Sequence, residues 1–504
     1  MTLHLKVTVD SGEGLQNQIF EQVRSMILDA TLRAGEMLPA TRTLSEELGV
    51  SRNTMTLAYE RLAAEGYIEM RKSVGTFVSK QVPGIALFAA PVATREATEE
   101  KSARGTHGVQ RAEDLRSQSV VSQHGRRLIA DFWPSRPDAN SFPLKVWARL
   151  INQRLMSAGA ALTEYRDPAG LLDLRTAVAD HLRPERGIVA TAENVTIVGG
   201  GQDGLNLLCR MMITPGSTAC IETPCYQGAA FLFESFGARL HPVRIDEKGI
   251  DVAALPDTPN SVAYVTPSHQ MPLGITMSLD RRLELLAWAA RTNSYILEHD
   301  YDSDIRYRGS PLAALKALDH FERVAYVGSF SKSMGAGLRL GYVVLPKSLV
   351  ATARHLKTLM DNGRPWLEQA ALADFMMSGG YDRHLRSIRR LYLDRRNALL
   401  ASLNKHFGEN DAIGDATGMH LVWKLPKHLP SASEIEAKAL KAGVGVYTVD
   451  GGGAIDLTSA PEHERLLVLG FSSLSEKDID AGIARLAAAL EPALKSRGRA
   501  VREG

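Results

Sequence analysis

From Phe132 onward, short apolar runs alternate with segments of helical periodicity, and this rhythm limits the fold more than any other feature of the chain. Val195 to Val198, Ala219 to Glu222, Val262 to Val265, Tyr295 to Glu298 and Val324 to Val327 each read as a strand. Runs that stay apolar on both faces belong to buried, largely parallel strands, which need helical crossovers on either side of the sheet. The expected body is therefore α/β. A chain of 504 residues is also longer than one core usually organises, so more than one domain is expected.

The N-terminal part has a different rhythm. Leu15, Ile19, Val23, Met26 and Ile27 recur at helical spacing, giving an amphipathic helix from Leu15 to Ala30. Gly35 and Pro39 break the chain. Thr41 is expected to cap a short helix carrying Leu44 and Leu48, Gly49 to end it, and Ser51 to cap another helix running to about Glu65. Gly66 stops that helix, and Tyr67 to Met70 and Thr76 to Ser79 read as strands around Lys72-Ser73-Val74-Gly75. The pattern is helix-turn-helix followed by a wing. From Gln81 to Arg127 periodicity lapses, and a stretch of that length is abnormal inside a compact domain. The expected division is a winged helix over 1–80, a linker over 81–127, a large domain over 128–495 and a tail over 496–504.

Composition excludes some classes. With 44% apolar and 23% charged residues the chain is neither disordered nor membrane-like, and no uncharged apolar run approaches the ~20 residues of a spanning helix. Cys209, Cys220 and Cys225 have no metal-ligand or disulfide spacing, and the N-terminus does not read as a leader. These features suggest a reducing cytoplasm and no metal. The formal charge is +2, and Met1 to Lys80 carry nine Lys and Arg against ten Asp and Glu. DNA binding must then rest on local placement of charge.

Leu38-Pro39-Ala40-Thr41-Arg42, Leu48 to Thr54, Tyr59-Glu60-Arg61-Leu62, Glu65-Gly66-Tyr67 and Gly75-Thr76-Phe77-Val78 closely resemble the winged helix of the GntR family. Ser51 sets Arg52, Asn53 and Thr54 on the first turn of the recognition helix, where side chains reach base edges. Arg52 suits guanine, and Arg42, Arg71 and Lys72 suit phosphates. Arg61 reads as a surface charge.

The segment from Gly328 through Ser329, Lys332 and Arg339 to Gly341 follows the strand Val324 to Val327. It resembles the lysine segment of fold-type I enzymes dependent on pyridoxal 5'-phosphate (PLP). The resemblance implies a Schiff base at Lys332, with Ser329 and Arg339 on the phosphate. In chain order, Gly199, Gly200, Gly201 and Gln202 open a helix suited to an anion, Tyr226 matches the aromatic residue that stacks on the ring, and Pro267 to Gly274 resembles the loop at the ring hydroxyl. Tyr301 falls within the same site. Tyr165, in Tyr165-Arg166-Asp167-Pro168-Ala169-Gly170, matches a tyrosine that reaches the phosphate of a neighbouring subunit, implying a homodimer.

Together the parts resemble the MocR/GabR subfamily of GntR regulators, an N-terminal winged helix joined to an aminotransferase-like domain. That implies a transcriptional regulator binding operator DNA and sensing an amino-containing effector by aldimine exchange at Lys332. Two rivals remain: a working aminotransferase with an accessory DNA-binding module, and a repressor whose large domain has lost PLP. One departure bears on the chemistry. Relatives place two acidic residues before the tyrosine of this strand, the first pairing with the ring nitrogen; here the stretch reads Glu298-His299-Asp300-Tyr301. Strand alternation sets His299 and Tyr301 on one face, so transamination is expected to be slow or absent; a local irregularity would instead bring Asp300 to the ring. Arg465 lies near the usual position of a carboxylate-binding arginine, or one place out of register.

Overall fold

The computed structural model describes residues 3, 5–8, 14–72, 74–80, 128–307, 313–409 and 411–500. They fall into two compact units, each described by itself. The expected linker, 81–127, lies outside the described residues.

In the N-terminal unit, helix Leu15–Leu28 buries Ile19, Phe20, Val23 and Ile27 against Met55, Tyr59 and Leu62 of helix Arg52–Ala64. Helix Thr41–Leu48 between them ends at Gly49, whose φ of 67° is the left-handed conformation that glycine adopts without strain. Thr41 is not the cap: the extended residue before this helix is Ala40, which has no side chain able to cap, and Thr41 is already helical. Cap geometry thus falls one residue earlier than the sequence suggests. Ser51 does cap its helix, its Oγ accepting from the Thr54 N–H at 3.0 Å. The wing pairs Ile68–Arg71 with Gly75–Val78, and Met37–Leu38 adds a third antiparallel strand. Arg61 is more than a surface charge. Its guanidinium lies 3.8 Å from the centroid of the Phe20 ring and donates to Asn17 at 2.7 Å, tying the recognition helix to the first.

The large unit is built on an eight-stranded sheet. Its order is Val195–Val198, Gly341–Val344, Val324–Ser329, Tyr295–Asp300, Val262–Val265, Thr218–Thr223, Arg239–Asp246 and Gly249–Ile250. The strands from Val324–Ser329 through Arg239–Asp246 are parallel; Gly341–Val344 runs against both neighbours. Every residue of Val195–Val198 and Val262–Val265 is buried, which accounts for their unbroken apolar character. A second, antiparallel sheet combines Asp411–Ile413, His420–Lys424, Leu466–Gly470 and Tyr447–Thr448. Helix Glu476–Ala500 runs past residue 495, so a separate tail does not begin there. In open α/β sheets, ligands bind beyond the carboxyl ends of the strands, and His299 and Ser329 both stand at such ends.

Candidate functional site

The site begins where strand Val195–Val198 ends and helix Gly201–Met212 starts. Gly200 bridges them with φ 96°. The three glycines let neighbouring side chains approach the backbone closely. A Cβ on Gly199 would collide with the Arg364 guanidinium, one on Gly200 would lie 3.4 Å from Arg339 Nη1 and 3.6 Å from Ser331 Oγ, and one on Gly201 would lie 2.6 Å from His299 Nε2. Ser329 Oγ accepts the Ser331 N–H at 3.2 Å and lies 3.0 Å from Ser331 Oγ. A helix N-terminus, two hydroxyls and the Arg339 cation thus gather at one cradle, a donor set suited to a phosphate dianion. Ser331 and Arg364 were not legible in the sequence.

Lys332 sits in a wide turn, Ser331–Gly335, directly after the strand. Its Nζ donates to the Ser135 carbonyl at 2.8 Å. Burial lowers its pKa, opposed by the charge of Asp302, which favours the neutral, nucleophilic amine.

Three tyrosines surround His299. The ring centroids of Tyr226, Tyr264 and Tyr301 lie 6.2, 6.0 and 6.0 Å from the imidazole. Tyr264 OH is 2.8 Å from His299 Nδ1. Burial, helped by the Lys332 charge and opposed by Asp300, pushes the imidazole pKa down to about 4. Tyr226 donates to Gln202 Oε1 at 3.2 Å, while Gln202 Nε2 donates to the Gly228 carbonyl at 2.9 Å, so Gln202 links the aromatic residue to the cradle. Tyr301 OH lies 3.2 Å from His269 Nδ1, which is 2.9 Å from Asp302 Oδ2.

Asp300 has other neighbours. Its Oδ2 is 2.5 Å from Arg186 Nη2 and accepts from Tyr326 OH at 2.7 Å. Arg465 is committed elsewhere: Nη1 donates to the Leu429 and Pro430 carbonyls at 3.1 and 3.0 Å, and Nη2 to those of Leu425 and Pro426. The guanidinium closes the loop 425–430. Tyr165 is 87% exposed on its loop.

On the winged helix, Arg52 and Asn53 are exposed beside the capped Thr54. Arg42 pairs loosely with Glu46 at 3.4 Å, both side chains well exposed. Arg71 meets Glu69 at 3.2 Å and covers the Phe77 ring, and Lys72 is exposed. A partner can claim all of these at little cost, since exposed ion pairs contribute little.

Residues 15–78 match the bacterial regulatory proteins of the gntR family, and residues 135–482 match aminotransferase class I and II. The probable rhizopine catabolism regulatory protein MocR of Rhizobium meliloti is 35% identical, over 83% of each chain. The chain belongs to the MocR-type regulators of the gntR family. The HTH-type transcriptional regulator TauR of Rhodobacter capsulatus is 33% identical, over 95% of this chain and 97% of its own. Among solved structures, the MocR-type chain is similar to LysN, an α-aminoadipate aminotransferase from Thermus thermophilus complexed with N-(5'-phosphopyridoxyl)-L-leucine. There the identity is 26% and the TM-score 0.67, over 77% of this chain and 97% of that one. Among the described residues, no helix of this MocR-type chain is long and apolar enough to cross a membrane.

Proposed function

We propose that the chain is a PLP-dependent, sequence-specific DNA-binding regulator, acting as a cytoplasmic homodimer and sensing an amino-containing metabolite at Lys332. One observation carries the reading: a half-buried lysine with a lowered pKa directly follows Ser331 of an anion cradle, in a chain that also carries a capped recognition helix.

The residues fit the cofactor. The backbone at Gly200, with Arg339 and Ser331 at its edge, suits the phosphate, and Ser329 supports Ser331 there. Tyr226, His299 and Tyr301 would flank the ring. When bound, the aldehyde supplies an electrophilic carbon for which Lys332 and the amine of an effector compete. Lys332 contributes an amine kept from ready protonation by burial, and the Ser135 carbonyl holds its Nζ. Tyr226, fixed through Gln202, covers one side of the site, and Tyr165, exposed in a single chain, is free to reach a second subunit. Regulation then requires that the effector favour one of two dimer arrangements, moving the winged helices relative to repeated half-sites.

The test is optical and electrophoretic. Purified protein reconstituted with PLP should show a visible imine band that Lys332→Ala removes, a panel of amines should shift that band, and the same amines should alter gel shifts with DNA flanking the gene. Colourless protein indifferent to that DNA defeats the proposal. Keto acid formed over many turnovers would instead make the chain an aminotransferase with an accessory module.

A further inference from the structure

Among the described residues, the side chains of Tyr264 and His299 are each other's only hydrogen-bond partner, with the hydroxyl 2.8 Å from Nδ1. Tyr264 is fully buried and His299 is 8% exposed. Their arrangement decides which imidazole nitrogen carries the hydrogen. A phenol must place its proton on an acceptor, and Nδ1 is the acceptor in reach. Were Nδ1 protonated, it could donate to the phenol oxygen, but the phenol hydrogen would then be buried without a partner, an arrangement folded proteins avoid. Neither group escapes by ionising: burial raises the phenol pKa well above its usual value and lowers that of the imidazole. The proton of the neutral imidazole therefore resides on Nε2, the atom that faces the helix start at Gly201.

We propose that Tyr264 is a positioning residue that locks His299 as the Nε2–H tautomer, so that the pyridine nitrogen of PLP meets a neutral donor and is kept unprotonated. This rests on the cofactor reading above. The charged groups near His299, Lys332 and Asp300, act in opposite directions on it, and neither supplies a carboxylate to the ring, because Asp300 is held by Arg186 and Tyr326. An unprotonated ring draws electrons weakly, so the site is suited to binding and exchanging amines rather than breaking bonds within them.

Nitrogen-15 NMR tests this in two stages. In cofactor-free protein with labelled histidine, His299→Asn identifies the signal, and the expected result is Nδ1 in the unprotonated range and Nε2 in the protonated range. Tyr264→Phe should shift both signals toward a mixture of tautomers. A proton on Nδ1, or an imidazolium near neutral pH, overturns the proposal in the wild-type protein alone, and signals unchanged in Tyr264→Phe overturn the role of Tyr264. In the second stage, ring-labelled PLP should resonate as unprotonated pyridine, and His299→Asp should move it to the protonated range; a protonated ring in the wild type is fatal. Failure to take up PLP would sink the cofactor reading and leave the tautomer result standing by itself.

Discussion

The carboxylate of Asp300 lies 2.5 Å from Arg186 Nη2, with the two side chains 1% and 6% exposed, while its neighbour His299 turns toward Tyr264 and Gly201. Adjacent strand residues with separate sets of partners are what a regular pleat produces. Asp300 is thus the counter-charge of a buried arginine. Asp300→Ala removes the carboxylate that balances this buried cation and should cost about 3–5 kcal/mol, measured by denaturant unfolding. The visible band per mole of folded protein should remain; its loss at unchanged stability would put Asp300 at the ring.

Gly201→Ala tests the cradle. The added methyl would lie 2.6 Å from His299 Nε2, and the imidazole cannot swing aside while Tyr264 holds Nδ1. Overpacking of this kind costs about 1–3 kcal/mol. PLP affinity, measured by titrating cofactor-free protein, should fall roughly 5- to 150-fold, while the gel shift of cofactor-free protein should not change.

Much of this was legible in the sequence, for identifiable reasons. Strands buried on both faces announce themselves as apolar runs, so Val195–Val198 and Val262–Val265 were readable to the residue. Lys332, the glycine cradle and Ser51 carry local signals. What was not legible depends on pairings remote in the chain. Ser135 meets Lys332 across 197 positions and Tyr264 meets His299 across 35. Arg465 sits at a plausible position for a carboxylate, and only the folded loop 425–430 reveals that its partners are carbonyls.

His299 gives the protein a signature in acid. Its pKa, about 4 when folded against a usual 6.5, means that the unfolded chain takes up the proton first as pH falls. Stability is therefore complete above pH 6.5 and declines between 6.5 and 4, by about 3 kcal/mol from this group. His299→Gln should lose that much less over the same interval, each protein compared with its own stability at pH 7. His420, also held well below its usual pKa by burial, contributes alike in both proteins and drops out of the comparison. Equal losses in the two proteins would show that His299 is not buried in its neutral form.

The recognition helix yields separable effects. Arg52 is exposed on the first turn, where a forked contact to guanine contributes about 1–3 kcal/mol of discrimination. Arg52→Ala should weaken operator binding roughly 5- to 150-fold in fluorescence anisotropy and leave non-specific binding nearly intact. Arg42→Ala, removing a charge suited to a phosphate, should weaken all sequences alike and reduce the slope of log affinity against log salt by about 1. Ser51→Ala acts through folding instead: losing the bond to the Thr54 N–H should cost the N-terminal unit about 1 kcal/mol. Equal weakening of specific and non-specific DNA by Arg52→Ala would place that arginine on the backbone and move base reading to Asn53 or Thr54.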